Sequence, residues 1–161
     1  MKQLELKHIA SYAPYKVKAI TADKYVFEIE GIYTFGDVYS SNMGDVPFYC
    51  IQLVLRPLSD LVKEIEINGK KFVPLIELKT GGTNRNEVHV FENWDGTNYV
   101  CCDNEDHELR FSAKNGFDRS FRGESRQLYS YDLFQKLFEW HFDVFGLIAD
   151  GLAVDCNTVE F

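Results

Sequence analysis

Three arginines lie close together between residues 118 and 126 of an otherwise acidic chain, and they are the first candidates for chemistry. Arg119, Arg122 and Arg126 could hold a phosphate or a carboxylate through their forked N–H donors. Phe121, which lies between them, could stack on a base or another ring. The position of the glycine in this segment matches no phosphate-binding loop or dinucleotide-binding motif. Two carboxylates of the same segment could instead pair with these arginines, which would leave a solvated loop with local ion pairs.

A second candidate is a histidine–thiol pair on a predicted hairpin. If Asp95-Gly96 forms a two-residue type I′ turn, His89 faces Cys102 across the two strands. Their Cβ atoms would then be about 4.5–5.5 Å apart. Such a pair could bind a metal or act as nucleophile and base, with His107 and neighbouring carboxylates as further ligands. Cysteine and histidine also occupy partly buried sheet positions for purely structural reasons, so we predict no metal site.

No other part of the sequence indicates a catalysed reaction. The sequence contains no serine-hydrolase, zinc-protease or nucleotide-binding motif. Trp140 and His141 lie in a predicted helix, where aromatic residues at helical spacing more often pack in the core than hold a cofactor. We therefore predict no catalytic residue and no cofactor, and the sequence favours a non-enzymatic protein.

Most of the chain carries the pattern of short β-strands. Residues 48–55 are apolar, β-branched or aromatic at nearly every position, which indicates a central strand buried on both faces. Asn68-Gly69 is typical of a type I′ turn, and it predicts a hairpin that pairs Ile65 with Phe72. Two polar stretches are predicted to be loops, at residues 40–45 and 113–126.

Helices are predicted at both ends of the chain. The C-terminal helix has Ser130 as its N-cap, a broad apolar face, and an end at Gly146 or Gly151. Asp143 belongs to its opposite, polar stripe. Together with a short N-terminal helix, these patterns predict one α+β domain over residues 1–161, a mostly antiparallel β-sheet with β-hairpins packed against the C-terminal α-helix.

Composition restricts the partners. The chain has 161 residues, a formal net charge of −8 and a sequence pI near 5.0, so general nucleic-acid binding would need a local basic patch. Its four cysteines show no CxxC spacing, and no stretch approaches the length of a membrane span. The charged N-terminus does not fit a signal peptide. We expect a cytoplasmic protein with reduced thiols.

Three stretches of the sequence resemble a known group of proteins. They are LKHIASYAPY at residues 6–15, LRPLSDL at residues 55–61 followed by the Asn68-Gly69 hairpin, and WHFDVFGLI at residues 140–148 with GLAVD at residues 151–155. The chain is similar in these stretches to small phage and prophage proteins of gut bacteria whose function is unassigned. The resemblance implies a bacterial cytoplasm and a host or phage protein as the binding partner. The leading hypothesis is thus a protein-binding module, and the alternative is a small-molecule or nucleotide-phosphate binder that uses the arginine segment.

Overall fold

The computed structural model describes residues 2–33, 36–80, 88–93, 97–102, 107–112, 116–121, 124–127 and 131–160. Its helices are α1 (Leu6–Ala10), α2 (Pro74–Thr80) and α3 (Tyr131–Glu139), and short 3-10 helices cover Ala13–Tyr15, Phe48–Cys50, Leu58–Val62 and Cys156–Thr158. The strands are β1 (Lys18–Thr21), β2 (Val26–Glu28), β3 (Gly31–Tyr33), β4 (Asp37–Ser40), β5 (Gly44–Pro47), β6 (Ile51–Leu55), β7 (Ile65–Ile67), β8 (Lys70–Phe72), β9 (Val88–Glu92), β10 (Asn98–Cys102), β11 (His107–Ser112), β12 (Gly116–Phe121), β13 (Glu124–Gln127) and β14 (Ala153–Asp155).

The first of two compact units consists of Met1–Pro57 and Gln135–Phe161. Its four-stranded sheet has the order β14-β6-β1-β2, in which β14 runs parallel to β6 and the other pairs are antiparallel. A separate antiparallel sheet has the order β3-β4-β5. Fully buried side chains such as Tyr12, Leu53 and Leu55 form the core of this unit, because β6 is covered on both faces.

The second unit is Leu58–Phe134. Its five-stranded antiparallel sheet has the order β13-β12-β11-β10-β9, and α2 packs against β9, β10 and β11. The small hairpin of β7 and β8 also belongs to this unit. Leu75 of α2 and Val100 of β10 are fully buried, so the helix and the sheet share one apolar core.

The α+β class and several local elements are confirmed. Ile65 pairs with Phe72, and Asn68 and Gly69 have φ values of 52° and 77°, as a type I′ turn requires. The central strand is present as β6, although Phe48–Cys50 in front of it is a 3-10 helix. Whether the chain is one domain stays a prediction, because two compact units can belong to one domain or to two.

Three predictions about local structure are wrong. The stretch at residues 113–126 is not one long loop, since β12 and most of β13 lie in it. Residues 40–45 contain the ends of β4 and β5 on either side of a short turn. The C-terminal helix ends at Glu139, and His141 already has a φ of 58°, so the chain leaves the helix before either predicted glycine. The predicted N-cap Ser130 lies outside the described residues.

Candidate functional site

The arginine segment lies on two neighbouring strands. Arg119 of β12 and Arg126 of β13 are partners in the antiparallel register, so the backbone brings these two residues together. Phe121 pairs with Glu124 at the end of the same two strands. Arg122 lies outside the described residues. The predicted loop is therefore a β-hairpin whose strands place two of the three arginines opposite each other.

The predicted pairing of His89 with Cys102 is wrong by one residue. Cys101 is the partner of His89, and Cys102 is the partner of Val88. The reason is the closure of the hairpin, where the Asn93 N–H donates to the Thr97 carbonyl over 2.8 Å and leaves three residues between them instead of two. A slip of one residue changes every cross-strand partner. The predicted turn at residues 95–96 lies outside the described residues.

No metal centre is found within the described ranges. There, no group of three His, Cys, Asp or Glu residues is arranged so that it could hold an ion. His107 lies on β11, whereas the carboxylates at residues 103–106 are outside the described part of the chain.

Tyr12 anchors the segment that follows α3 from inside the core. Its hydroxyl donates to the Phe142 carbonyl over 2.7 Å and accepts the Val144 N–H at 3.2 Å. Burial raises the pKa of Tyr12, and the nearby Asp143 carboxylate adds to the rise, whereas the Val144 N–H opposes it. The hydroxyl therefore keeps its proton and serves as a structural donor.

Asp143 and His141 stabilise the same segment. The two carboxylate oxygens of Asp143, which is buried, accept the N–H groups of Leu147 and Ile148 at 2.7 and 2.9 Å. His141 Nε2 donates to the Tyr15 carbonyl over 2.8 Å, since a carbonyl can only accept. Burial is the main cause that lowers the pKa of His141, which keeps the imidazole neutral. These polar groups are used to hold backbone rather than to face a substrate.

The outward side of the β3-β4-β5 sheet is the candidate interaction site. Tyr33 faces Asp37, and Tyr39 faces Asp45, so these four residues lie on one side of the sheet. We call them the tyrosine–aspartate face. The alternating residues on the other side, Val38 and Val46, are buried in the core.

The tyrosine–aspartate face is both aromatic and acidic. Tyr33 is 48% exposed and Tyr39 is 37% exposed, and their ring centroids lie 6.4 Å apart at an interplanar angle of 71°. The sequence from Gly31 to Pro47 contains no lysine, arginine or histidine. Among the residues that the structure describes, neither Asp37 nor Asp45 forms an ion pair. Two carboxylates and two rings are therefore presented together, and within the described part of the chain no cation forms an ion pair with either carboxylate.

Sequence reasoning missed this site for an identifiable reason. The prediction of a loop at residues 40–45 concealed the period-two alternation in which Val38 and Val46 face the core and Tyr39 and Asp45 face outward. That alternation was the available signal. The strands are only four residues long, so the pattern is short.

No helix within the described residues is both long and apolar enough to cross a membrane. Comparison of the chain with protein-family models, with curated proteins and with solved structures finds no match.

Proposed function

We propose that this protein is a non-enzymatic protein-binding module whose tyrosine–aspartate face contacts a cationic segment of its partner. The observation that carries the proposal is the pair of half-exposed tyrosines beside two carboxylates that have no cation on the same strands. Tyrosine is enriched at protein interfaces because its ring supplies contact area and its hydroxyl remains able to form hydrogen bonds.

The physical chemistry of this face favours lysine and arginine. A guanidinium or ammonium group over a tyrosine ring gains about 0.5–1 kcal/mol at an exposed site, and more when it is desolvated. Asp37 and Asp45 can each accept charge-assisted hydrogen bonds from such a group. The net charge of −8 would speed the encounter with a basic partner and discourage acidic ones.

The resemblance of three sequence stretches to phage and prophage proteins supports the same class of function by analogy. Small phage proteins often act by binding a host or phage protein. A phage origin and a bacterial cytoplasmic location are accordingly part of the proposal. Neither the phage origin nor the cytoplasmic location indicates a substrate or a reaction.

Capture of a partner from bacterial lysate, followed by binding measurements with the purified partner, tests the proposal. We expect a partner with a basic surface, and we expect Tyr33→Ser with Tyr39→Ser to weaken its binding at least tenfold, since buried interface tyrosines often contribute more than 1 kcal/mol. Asp37→Asn with Asp45→Asn should slow association and reduce its dependence on salt concentration.

Matched changes elsewhere provide the control. Tyr131 and Asp23 are exposed and lie outside the face, so Tyr131→Ser and Asp23→Asn should leave affinity unchanged. A partner that binds both face variants as tightly as the original protein would contradict the assigned surface. Turnover of a substrate that a single substitution abolishes would contradict the non-enzymatic assignment.

A second candidate function is binding of a phosphate or carboxylate ligand by the arginine hairpin. The register that pairs Arg119 with Arg126 favours it, because like charges at directly opposite positions of an antiparallel pair are destabilising and a bound anion would offset that cost. A nucleotide present at 100 times its Kd should add about 2.7 kcal/mol to the free energy of unfolding. Arg126→Gln should abolish that stabilisation. Absence of a thermal shift with nucleotides and inorganic phosphate would remove this candidate.

A further inference from the structure

The outer edge of β2 has hydrogen-bonding groups that the sheet does not use. In the order β14-β6-β1-β2, β2 pairs with β1 on one side, and no described strand pairs with it on the other. The pairing alternates along the two strands, as in every antiparallel ladder. The Thr21 N–H donates to the Tyr25 carbonyl at 3.0 Å, and the Ile29 N–H donates to the Val17 carbonyl at 2.9 Å.

This alternation determines which groups of β2 point outward. Tyr25 and Ile29 bond to β1, and so does Phe27 between them, which is the partner of Ala19. The N–H and C=O groups of Val26 and Glu28 must then point away from β1. Two residues thus offer two donors and two acceptors at the edge of the sheet.

A groove runs beside this edge. It has a volume of about 360 Å³ and is lined by Lys18, Val26, Phe27, Glu28 and Asn42. Asn42 lies in the turn between β4 and β5, and hydrogen bonds anchor that turn to the chain that leaves β2. The Oε1 atom of Glu30 accepts the backbone N–H of Ser41 at 3.2 Å and its hydroxyl at 2.6 Å. The turn that supplies Asn42 to the groove is therefore held in place by hydrogen bonds within the protein.

We infer that this groove binds an extended segment of a partner protein, which adds as a further strand to β2 and carries a lysine or arginine beside Glu28. An extended backbone is the ligand whose N–H and C=O groups match the outward groups of Val26 and Glu28. On its inner side Glu28 is the cross-strand partner of Lys18. Glu28 is exposed and forms no ion pair with the described residues, so its carboxylate can accept a second cation from a strand that adds on the outer side.

A second copy of this chain is a poorer occupant. Two chains that each carry a net charge of −8 repel one another, and an edge-to-edge pairing centred on Phe27 would place Glu28 opposite Val26 rather than opposite a cation. The β2 groove shares no residue with the tyrosine–aspartate face, so variants of that face leave the groove residues unchanged.

The test uses a phage-displayed library of random nine-residue peptides selected on the whole protein. We expect selected peptides to contain lysine or arginine, and we expect a synthetic copy to slow hydrogen exchange at the Val26 and Glu28 amides at least tenfold. The exchange rate at Asp23, in the neighbouring turn, should stay unchanged. A library that yields no peptide, or peptides that protect neither β2 amide, overturns the inference.

Paired variants separate the backbone contact from the side-chain contact. Val26→Pro removes an outward N–H, a change that edge strands tolerate, whereas Val26→Ala keeps it. We expect Val26→Pro to weaken the peptide about tenfold and Val26→Ala to change its affinity less than threefold. If Val26→Pro does not fold, N-methylation of the peptide's paired residues gives the same test on the unchanged protein. Equal binding of the methylated peptide, or dimerisation that Val26→Pro abolishes, overturns the inference.

Discussion

Removal of the Asp143 carboxylate should destabilise the protein more than most single substitutions. Asp143 is 6% exposed, and its oxygens accept the N–H groups of Leu147 and Ile148 at 2.7 and 2.9 Å. Leu147 is itself buried, so its N–H group has little access to water when the carboxylate is gone. Asp143→Ala therefore leaves two backbone donors without their acceptors.

The size of the effect follows from the two hydrogen bonds. A hydrogen bond to a charged group contributes about 1.5–3 kcal/mol, so the loss of two such bonds in Asp143→Ala should lower the free energy of unfolding by about 3–6 kcal/mol. For a chain of this size, each kcal/mol corresponds to about 2–4 °C in Tm, which gives a decrease of about 10 °C. Asp143→Asn retains one acceptor oxygen and should lower the free energy of unfolding by about half as much as Asp143→Ala.

Urea denaturation followed by circular dichroism measures these losses. Asp23→Ala, at an exposed turn position, should change the free energy of unfolding by less than about 0.5 kcal/mol and serves as the control. Hydrogen exchange should also accelerate at the Leu147 and Ile148 amides in Asp143→Ala. A loss below about 1 kcal/mol in that variant would refute the assignment of Asp143 as the residue that holds this segment.

Three further predictions concern buried or strained positions. Tyr12→Phe should cost about 1–2 kcal/mol at neutral pH. Because the fold raises the pKa of Tyr12, this difference in unfolding free energy should shrink above pH ~10 as the unfolded tyrosine ionises. The fold lowers the pKa of His141, so as the pH falls below ~6.5 the unfolded chain takes up a proton first and the protein loses stability. In His141→Asn, a change that the positive φ tolerates, this loss of stability at low pH should be smaller. Gly69→Ala should cost about 1 kcal/mol at a φ of 77°, as measured by urea denaturation.

Local chemistry made several elements predictable from the sequence alone. The hairpin of β7 and β8 follows from Asn68-Gly69, because both residues accept the positive φ that the turn demands. The buried strand β6 follows from its continuous apolar run. In each case the signal lies within a few neighbouring residues.

The site could not be predicted in the same way. The tyrosine–aspartate face requires β3, β4 and β5 to pair in one register, and the pairing of Arg119 with Arg126 requires a hairpin in a stretch that looks like a polar loop. His89 shows how much depends on register, since one additional residue in the hairpin connection gives it Cys101 as its partner.

The sequence by itself determined the α+β class, the acidic charge and the short hairpin, because composition and turn chemistry act over short distances. Tertiary structure alone decided where α3 ends and what Asp143 does. Helical spacing assigns Asp143 to a solvent-facing stripe, whereas in the fold the chain leaves the helix at Glu139 and the carboxylate is buried. There it accepts backbone N–H groups, and the Asp143 N–H itself donates to the Arg56 carbonyl. Hydrogen bonds that join this segment to Tyr12, Tyr15 and Arg56, which are far away in the sequence, thus outweighed the local preference for helix.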